Sequence, residues 1–275
     1  MADQPSETEI VAGAGGYPLH VRVWRPPRST TRVVMLHGLI SHAGWLGPVA
    51  ERLASSGVMC ICPDRRGSGG NPPPRGDAPS ADVLLEDLDR VVCHFTESGW
   101  HPHLAGFCWG AAYAVNYLAR RRGPVGSLAL LAPSIVPAAA LRALAPITGS
   151  SGEPTVDPVI PPEAFTRGPA YQQFILPDAL RLRKLSPRLN GILAEFAFMI
   201  GAKLTRLNVP TLLVLADGDR VVDNAATARL FAAMRASRTE LRTVRGEHGV
   251  QFDAPDEVAA LLCRWVTAPG LRPSA

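Results

Sequence analysis

The chain has 275 residues, enough to bury one sizeable core, so we expect a single main domain. Hydrophobic residues make up 47% of the chain and charged residues 19%, which is typical of globular proteins and excludes a largely disordered chain. The formal charge of +4 comes from scattered arginines, not from a basic block interleaved with aromatic residues, so we expect no nucleic-acid partner.

The first residues and the cysteines bear on the cellular compartment. The start MADQPSETEI lacks the basic and apolar regions of a signal peptide, and no apolar run approaches the ~18 residues that span a bilayer. We therefore expect a cytoplasmic protein without stable membrane insertion. The five cysteines include no CxxC pair, and Cys60 and Cys62 are predicted to be buried reduced thiols on one face of a strand. We expect neither a cofactor nor a metal.

Short apolar runs alternate with segments of helical period, which predicts an α/β fold with a mostly parallel central sheet and helices on both faces. The predicted strands are Tyr17–Trp24, Arg32–His37, Val58–Asp64, His103–Phe107, Ser127–Ala132, Thr211–Ala216 and Leu241–Arg245. The predicted helices are Ala50–Ser55, Ala81–Ser98, Trp109–Arg120, Ala225–Arg235 and Asp256–Val266. Ser80 and Asp223 are predicted N-caps, because their side-chain oxygens can accept from the first helical turn.

The alternation breaks between about Pro133 and Asn208, where prolines cluster. These prolines include Pro154, Pro158, Pro161, Pro162, Pro169, Pro177 and Pro187. The segment also contains too many apolar residues for a solvated linker, among them Phe165, Tyr171, Phe174, Phe196, Phe198 and Met199. We predict a cap insertion over residues 133–208, with residues 1–132 and 209–275 forming the core.

The strongest single motif is GFCWG, residues 106–110, between the apolar run His103–Phe107 and the helical run Ala111–Ala119. A strand-to-helix turn of this type, called a nucleophile elbow, holds its central residue in a strained conformation and needs glycines where side chains would clash. Cys108 is therefore predicted to stand out at the sheet edge as a nucleophile, with the helix start favouring its thiolate. The N–H of Trp109 is a predicted donor to an oxyanion.

Two later segments offer a base and an orienting acid in the chain order nucleophile, acid, histidine. His248 lies in GEHG after the last strand, and Asp217 and Asp219 both lie in DGDR after Thr211–Ala216. His248 would take the thiol proton, and one of the two carboxylates would hold the imidazole. Ser68 in DRRGSGG follows a strand without an elbow, so we interpret it as a turn residue.

The second oxyanion donor is predicted in the loop after an early strand, at the N–H of Leu39. The candidate residues of the substrate pocket are His37, Gly38, Trp45 and Phe107. The apolar cap residues between Phe165 and Met199 are expected to complete this pocket over the nucleophile.

Six motifs together resemble a known group: HGLISHAGW, CPDRRGSGG, GFCWG, FTRGPAYQQF, NVPTLLVLADGDRVVD and GEHG. The chain is similar over nearly its whole length to the monoacylglycerol lipase and lysophospholipase group of the α/β hydrolases. The resemblance implies the α/β-hydrolase fold with an inserted cap, and it places the acid three residues after Ala216, at Asp219. Where that group has serine, this chain has Cys108.

An acyl group on Cys108 would itself be a thioester, so its formation from a thioester is close to isoenergetic, whereas formation from an unactivated ester runs uphill. We therefore expect hydrolysis of a thioester or activated ester of a hydrophobic acyl group, with coenzyme A or a carrier protein as candidate carriers. Transfer to an amine or alcohol shares every early step and stays open, as does a non-catalytic, ligand-binding role. The basic run Arg181–Lys184, with Arg188, could bind an acidic carrier or form a solvated helix face.

Overall fold

A computed structural model gives the fold of the residues that the structure describes, which are 7–29, 31–96, 101–120, 125–138 and 160–270. Within them one sheet has eight strands: β1 (Glu7–Ala12), β2 (Pro18–Trp24), β3 (Thr31–Leu36), β4 (Val58–Pro63), β5 (His103–Phe107), β6 (Leu128–Leu131), β7 (Thr211–Ala216) and β8 (Thr239–Val244). Their order is β1-β2-β4-β3-β5-β6-β7-β8. β2 pairs antiparallel with β1 and β4, and the other neighbouring pairs are parallel. The predicted mostly parallel α/β sheet is confirmed.

Helices flank this sheet. They are α1 (Gly47–Ser55), α2 (Ala81–His94), α3 (Trp109–Arg120), α4 (Pro169–Ile175), α5 (Pro187–Ala197), α6 (Ile200–Arg206), α7 (Asn224–Ala232), α8 (Val250–Asp253) and α9 (Pro255–Val266). Ser80 and Asp223 cap α2 and α7 as predicted, accepting from the N–H groups of Val83 at 3.2 Å and Ala226 at 2.8 Å. In the described part of the chain, no helix is long and apolar enough to cross a membrane.

Two apolar clusters cover the two faces of the sheet. In β3, Val34 belongs to the cluster under α2 and α3, whereas Val33 and Met35 belong to the cluster under α1 and α9. Because successive strand residues point to opposite faces, strands covered by helices on both sides are apolar at nearly every position. Cys60 and Cys62 of β4 lie in the second cluster as fully buried free thiols, as predicted.

The predicted boundaries differ most at the edges of the sheet. β1 was not predicted, because Val11 is its one buried residue and the strand lacks a regular apolar alternation. Backbone pairing with β2 holds it in place. β8 is also largely exposed and begins at Thr239 rather than at the predicted Leu241. α2 ends at His94, whereas the helix was predicted to reach Ser98, which lies outside the described residues.

The predicted cap is described in part. Residues 139–159, with the predicted cap prolines Pro154 and Pro158, lie outside the described residues. The later part of the cap contains α4, α5 and α6. The division of the chain into a core and an inserted cap at residues 133–208 stays a prediction.

The described cap helices pack in two places. α5 buries Leu189, Ile192 and Phe196 in the cluster under α2 and α3. These three residues recur at helical spacing and form one apolar stripe. α4 instead places Ile175 in a separate small cluster that also contains Trp45, close to the end of the sheet where the predicted nucleophile lies.

Candidate active site

Cys108 occupies the tight turn between β5 and α3, with a φ of 53°, a left-handed conformation that side chains rarely adopt. Two close backbone contacts explain the flanking glycines. A Cβ on Gly106 would lie 2.5 Å from backbone atoms of Ala111, and a Cβ on Gly110 would lie 2.2 Å from the Leu36 carbonyl oxygen. The turn therefore needs both glycines, and it holds the partly exposed Cys108 side chain at the carboxyl edge of the parallel strands.

His248 and Asp219 meet at the same edge, after β8 and β7. The imidazole Nδ1 lies 2.8 Å from Asp219 Oδ2, and the two side chains are 1% and 0% exposed. Asp219 Oδ1 accepts the N–H groups of Val221 and Val222 at 2.8 and 3.1 Å. Because the carboxylate is held in this way, Nδ1 is the donor to it. The buried Nε2 makes no hydrogen bond to an oxygen or nitrogen atom among the described residues, and the Cys108 side chain lies close enough to the ring to interact with it.

Asp217, the alternative acid, has a different partner. Its Oδ1 accepts the Gly246 N–H at 2.9 Å, which ties the end of β7 to the loop that carries His248. The structure therefore brings Asp219, and not Asp217, to the imidazole.

The charges around His248 favour its protonated form. Burial lowers the pKa of His248, but the Cys108 and Asp219 side chains together raise it by more, so that the net pKa is about 10. The ring is then an imidazolium at neutral pH.

The loop after β3 closes over Cys108. A Cβ on Gly38 would lie 3.2 Å from the Cys108 Cβ and 3.5 Å from its Sγ, and Leu39 follows in the same loop. The His37 ring is engaged at both nitrogens: Nε2 accepts the Arg65 N–H at 3.0 Å, and Nδ1 donates to the Gly38 carbonyl at 2.8 Å. Burial lowers the pKa of His37, so the ring is neutral at physiological pH. His37 thus shapes the loop rather than the cavity beside Cys108.

Trp109, the other predicted oxyanion donor, begins α3. Its ring stacks on Phe196 with centroids 5.5 Å apart and an interplanar angle of 8°. Among the described residues, neither the Trp109 N–H nor the Leu39 N–H donates to a backbone carbonyl. Leu39 and Trp109 remain the predicted oxyanion donors.

A small cavity lies between Cys108 and the cap. Its volume is about 30 Å³, with room for on the order of one or two water molecules. Its lining consists of Gly38, Leu39, Ile40, Ser41, Trp45, Leu46, Phe107, Cys108, Ile160, Phe165, His248, Gly249 and Gln251. Ligand pockets typically measure ~300–1,000 Å³, so a long acyl group needs lining side chains to move.

Only the first half of the predicted cap pocket lies at this cavity. Phe165 lines it, and Tyr171 and Phe174 pack behind Phe165 in the cluster around Trp45. Phe198 and Met199 are instead 70% and 57% exposed. The prediction that apolar residues from Phe165 to Met199 form one pocket is wrong for this second half, because α5 and α6 pack against α3 and leave the turn between them in solvent.

The described cap is bonded directly to the loop that carries His248. The His248 and Gly249 N–H groups donate to the carbonyl oxygens of Ala164 at 3.2 Å and Phe165 at 2.7 Å. The position of the cap and the position of the imidazole are therefore coupled through the backbone.

Asp178 is a cap carboxylate that the sequence analysis missed, since nothing in its local sequence distinguishes it from a solvated one. It accepts from His42 Nε2 at 3.0 Å and from Trp45 Nε1 at 2.7 Å. His42 Nδ1 accepts the Gly44 N–H at 3.1 Å, so Nε2 carries the proton. Burial raises the pKa of Asp178, but the hydrogen bonds from His42 and Trp45 lower it by more, so that the net pKa is about 2. Asp178 thus joins the cap to the pocket-lining Trp45.

The basic run of the cap is not directed at the cavity. Arg183 donates to the Leu176 carbonyl at 2.9 Å, and Arg188 pairs with Asp77. Arg183 therefore forms a contact within the cap, and Arg188 links the cap to the core. No group of three or more His, Cys, Asp or Glu side chains in the described ranges is placed to hold a metal ion.

Known proteins share this architecture. Residues 27–254 match the family described as Serine aminopeptidase, S33. The chain is 24% identical to the monoacylglycerol lipase of Mycolicibacterium smegmatis, over 98% of this chain and 99% of that protein. A soluble variant of monoglyceride lipase from Saccharomyces cerevisiae, in complex with a substrate analogue, has a TM-score of 0.83 at 14% identity, covering 97% of this chain and 96% of its own. The thioesterase domain from the curacin biosynthetic pathway has a TM-score of 0.66 at 20% identity, covering 93% of this chain and 98% of its own. This chain therefore belongs to the Serine aminopeptidase, S33 family and is an enzyme of the α/β-hydrolase type, similar to lipases and esterases.

Proposed function

We propose that this protein hydrolyses a thioester or an activated ester of a hydrophobic acyl group through an S-acyl intermediate on Cys108. The observation that carries the proposal is the 2.8 Å hydrogen bond from His248 Nδ1 to Asp219, with His248 and Cys108 lining one cavity. A nucleophile, a base and an orienting carboxylate are the parts of a nucleophilic triad.

In the first half-reaction the Cys108 thiolate adds to the substrate carbonyl carbon, forming a carbon–sulfur bond and an oxyanion. The N–H groups of Leu39 and Trp109 stabilise that oxyanion. The intermediate then collapses, the bond to the leaving thiol breaks, and the His248 imidazolium protonates the leaving sulfur. Asp219 holds the ring tautomer that makes this proton transfer possible.

In the second half-reaction water attacks the acyl carbon while neutral His248 takes a proton from it. The second tetrahedral intermediate expels the Cys108 thiolate and releases the carboxylic acid. The thiolate and imidazolium are restored. The net reaction converts a thioester and water into a carboxylic acid and a thiol.

The cysteine nucleophile supports the choice of a thioester or activated ester as the acyl donor. Formation of an S-acyl enzyme exchanges one thioester for another, whereas an unactivated ester would have to drive an uphill step. The cavity lining supports a hydrophobic acyl group, because Ile40, Trp45, Phe107, Ile160 and Phe165 contribute apolar side chains to it. Coenzyme A or a carrier protein would supply the thiol part of such a donor.

Transfer of the acyl group to an amine or alcohol is the second candidate function. It is favoured by the cap bonded to the His248 loop, since a closed cap limits the entry of water. A ligand-binding protein without catalysis would have no need for the buried contact between His248 and Asp219.

A panel of acyl thioesters from acetyl to dodecanoyl, with and without added amines, tests the proposal. We expect free acid to be the main product, and amide as the main product would favour transfer. Cys108→Ala should reduce turnover by several orders of magnitude, as loss of a triad nucleophile does elsewhere. The matched control is Cys93→Ala, at an exposed cysteine, which should retain full activity. Equal activity of the two variants would refute the proposal.

A further inference from the structure

Arg65 is a buried arginine behind the loop that follows β3 and carries Leu39, one of the predicted oxyanion donors. It follows β4 in the DRRGSGG motif and is 5% exposed. Its guanidinium donates to three oxygens: the Gly38 carbonyl at 3.3 Å, the Leu39 carbonyl at 2.7 Å and the Ser68 hydroxyl at 2.7 Å. The side chain therefore grips the backbone of the loop that closes over the nucleophile.

No carboxylate among the described residues forms an ion pair with this guanidinium. It lies instead 5.0 Å from the centroid of the Trp109 ring, at the start of α3. Burial lowers the pKa of Arg65 to about 10, so the group stays charged at neutral pH. Burying a cation is costly, and the nearby Asp64 carboxylate offsets part of that cost without contacting the guanidinium. Its position beside the elbow matches the site where negative charge forms on Cys108 and on the bound substrate.

Peptide geometry links Arg65 to the oxyanion donor. In a trans peptide unit the C=O and the following N–H point in opposite directions. The Gly38 carbonyl and the Leu39 N–H belong to one such unit. Because Arg65 and the His37 ring both hold the Gly38 carbonyl, they also fix the direction of the Leu39 N–H, away from Arg65.

We propose that Arg65 is a positioning residue that holds the Leu39 N–H towards the substrate carbonyl oxygen and places a buried positive charge behind the oxyanion. This inference deepens the proposed function and rests on it for the identity of the nucleophile. Ser68 orients the guanidinium, which gives this buried hydroxyl a role in the loop.

Two reactions of Cys108 separate this role from a structural one. Acylation by p-nitrophenyl acetate passes through an oxyanion, whereas alkylation by iodoacetamide displaces iodide and forms none. Both rates are measured from pH 5 to pH 10 on the wild-type protein, Arg65→Met and Arg65→Lys. The matched control is Arg75→Met, which removes an arginine that also binds two backbone carbonyls, those of Gly69 and Leu180.

Arg65→Met should slow acylation on the order of 100-fold, the scale of losing one oxyanion donor, while its limiting alkylation rate changes less than about threefold. Arg65→Lys keeps the charge but not the forked contacts. Arg65→Lys should therefore keep the wild-type pH dependence of alkylation but less than about a tenth of the wild-type acylation rate. Arg75→Met should leave both rates unchanged.

Equal losses in acylation and alkylation, or no loss in either, would overturn the inference. If both Arg65 variants fail to fold, Ser68→Ala gives the same comparison, with a several-fold loss expected in acylation alone. A wild-type protein that is alkylated but never acylated has no oxyanion site to position, and that result also overturns the inference. Acylation that depends on Arg65 in a protein that hydrolyses no thioester would instead refute only the proposed function.

Discussion

Replacing Asp219 by asparagine should put the imidazole proton on the wrong nitrogen. Asp219 Oδ1 accepts two backbone N–H groups, from Val221 and Val222, and the asparagine oxygen can keep both. Its amide NH₂ then faces His248 Nδ1, which has to become an acceptor. The ring proton moves to Nε2, and His248 can no longer act as a base there.

The size of this effect follows from what the carboxylate does in the site. The corresponding change in a serine triad costs about 10⁴-fold in kcat. A thiol needs less help than a hydroxyl to ionise, so we expect a loss of at least about 10²-fold in kcat/KM, or about 2.7 kcal/mol of barrier. Asp219 is also one of the groups that raise the pKa of His248 to about 10, so this pKa should fall in the variant.

The assay is the rate of acid release from one acyl thioester, followed by chromatography, beside a thermal unfolding curve. Asp217→Asn is the matched control, because its oxygen can still accept the Gly246 N–H. It should lose less than about threefold in kcat/KM, a barrier change of about 0.6 kcal/mol. If Asp217→Asn is the more damaging change, or if Asp219→Asn is harmless, the assignment of the acid is refuted.

Three further predictions concern the nucleophile, the base and the cap. Cys108→Ser should slow thioester hydrolysis at least about tenfold, because serine depends fully on His248 and on donors set for sulfur; rates for the serine variant that equal or exceed those of the wild-type protein on both a thioester and its matching oxyester would contradict this. The kcat/KM of thioester hydrolysis, which reports the acylation step, should fall as pH rises through about 10, because His248 then loses the proton that it gives to the leaving thiolate; a kcat/KM that is flat across this range would count against it. Asp178→Asn should lower the free energy of unfolding by about 1.5–3 kcal/mol at pH 7. Because the folded pKa of Asp178 is depressed to about 2, the wild-type protein should lose this stability as pH falls from about 4 to 2, and urea unfolding at both pH values tests it.

The elbow could be predicted from sequence because its constraint is local. Gly106 and Gly110 flank Cys108 at fixed spacing, and each glycine is required by a backbone atom within three ångströms of where its Cβ would be. The sheet was predictable for a similar reason, since helices cover both faces and the central strands are apolar at nearly every position.

The choice between Asp217 and Asp219 could not come from local pattern alone, because both carboxylates follow the same strand within three residues. Resemblance favoured Asp219, and the structure shows that the imidazole contacts this one. The exposure of Phe198 could not be predicted either. An apolar residue in a short helical segment gives the same sequence pattern whether it lines a pocket or lies at an exposed turn. Arg65 was missed because two of its three partners are backbone carbonyls, which leave no signature in the sequence.

The most direct test of an S-acyl intermediate on Cys108 is the mass of the intact protein after brief incubation with an acyl thioester and an acid quench. We expect a mass increase of one acyl group on the wild-type protein, mapped to Cys108 by peptide analysis. The label should be lost on hydroxylamine treatment and absent from Cys108→Ala. Turnover of the thioester without any acyl adduct on Cys108, or an equal adduct on Cys108→Ala, would contradict it.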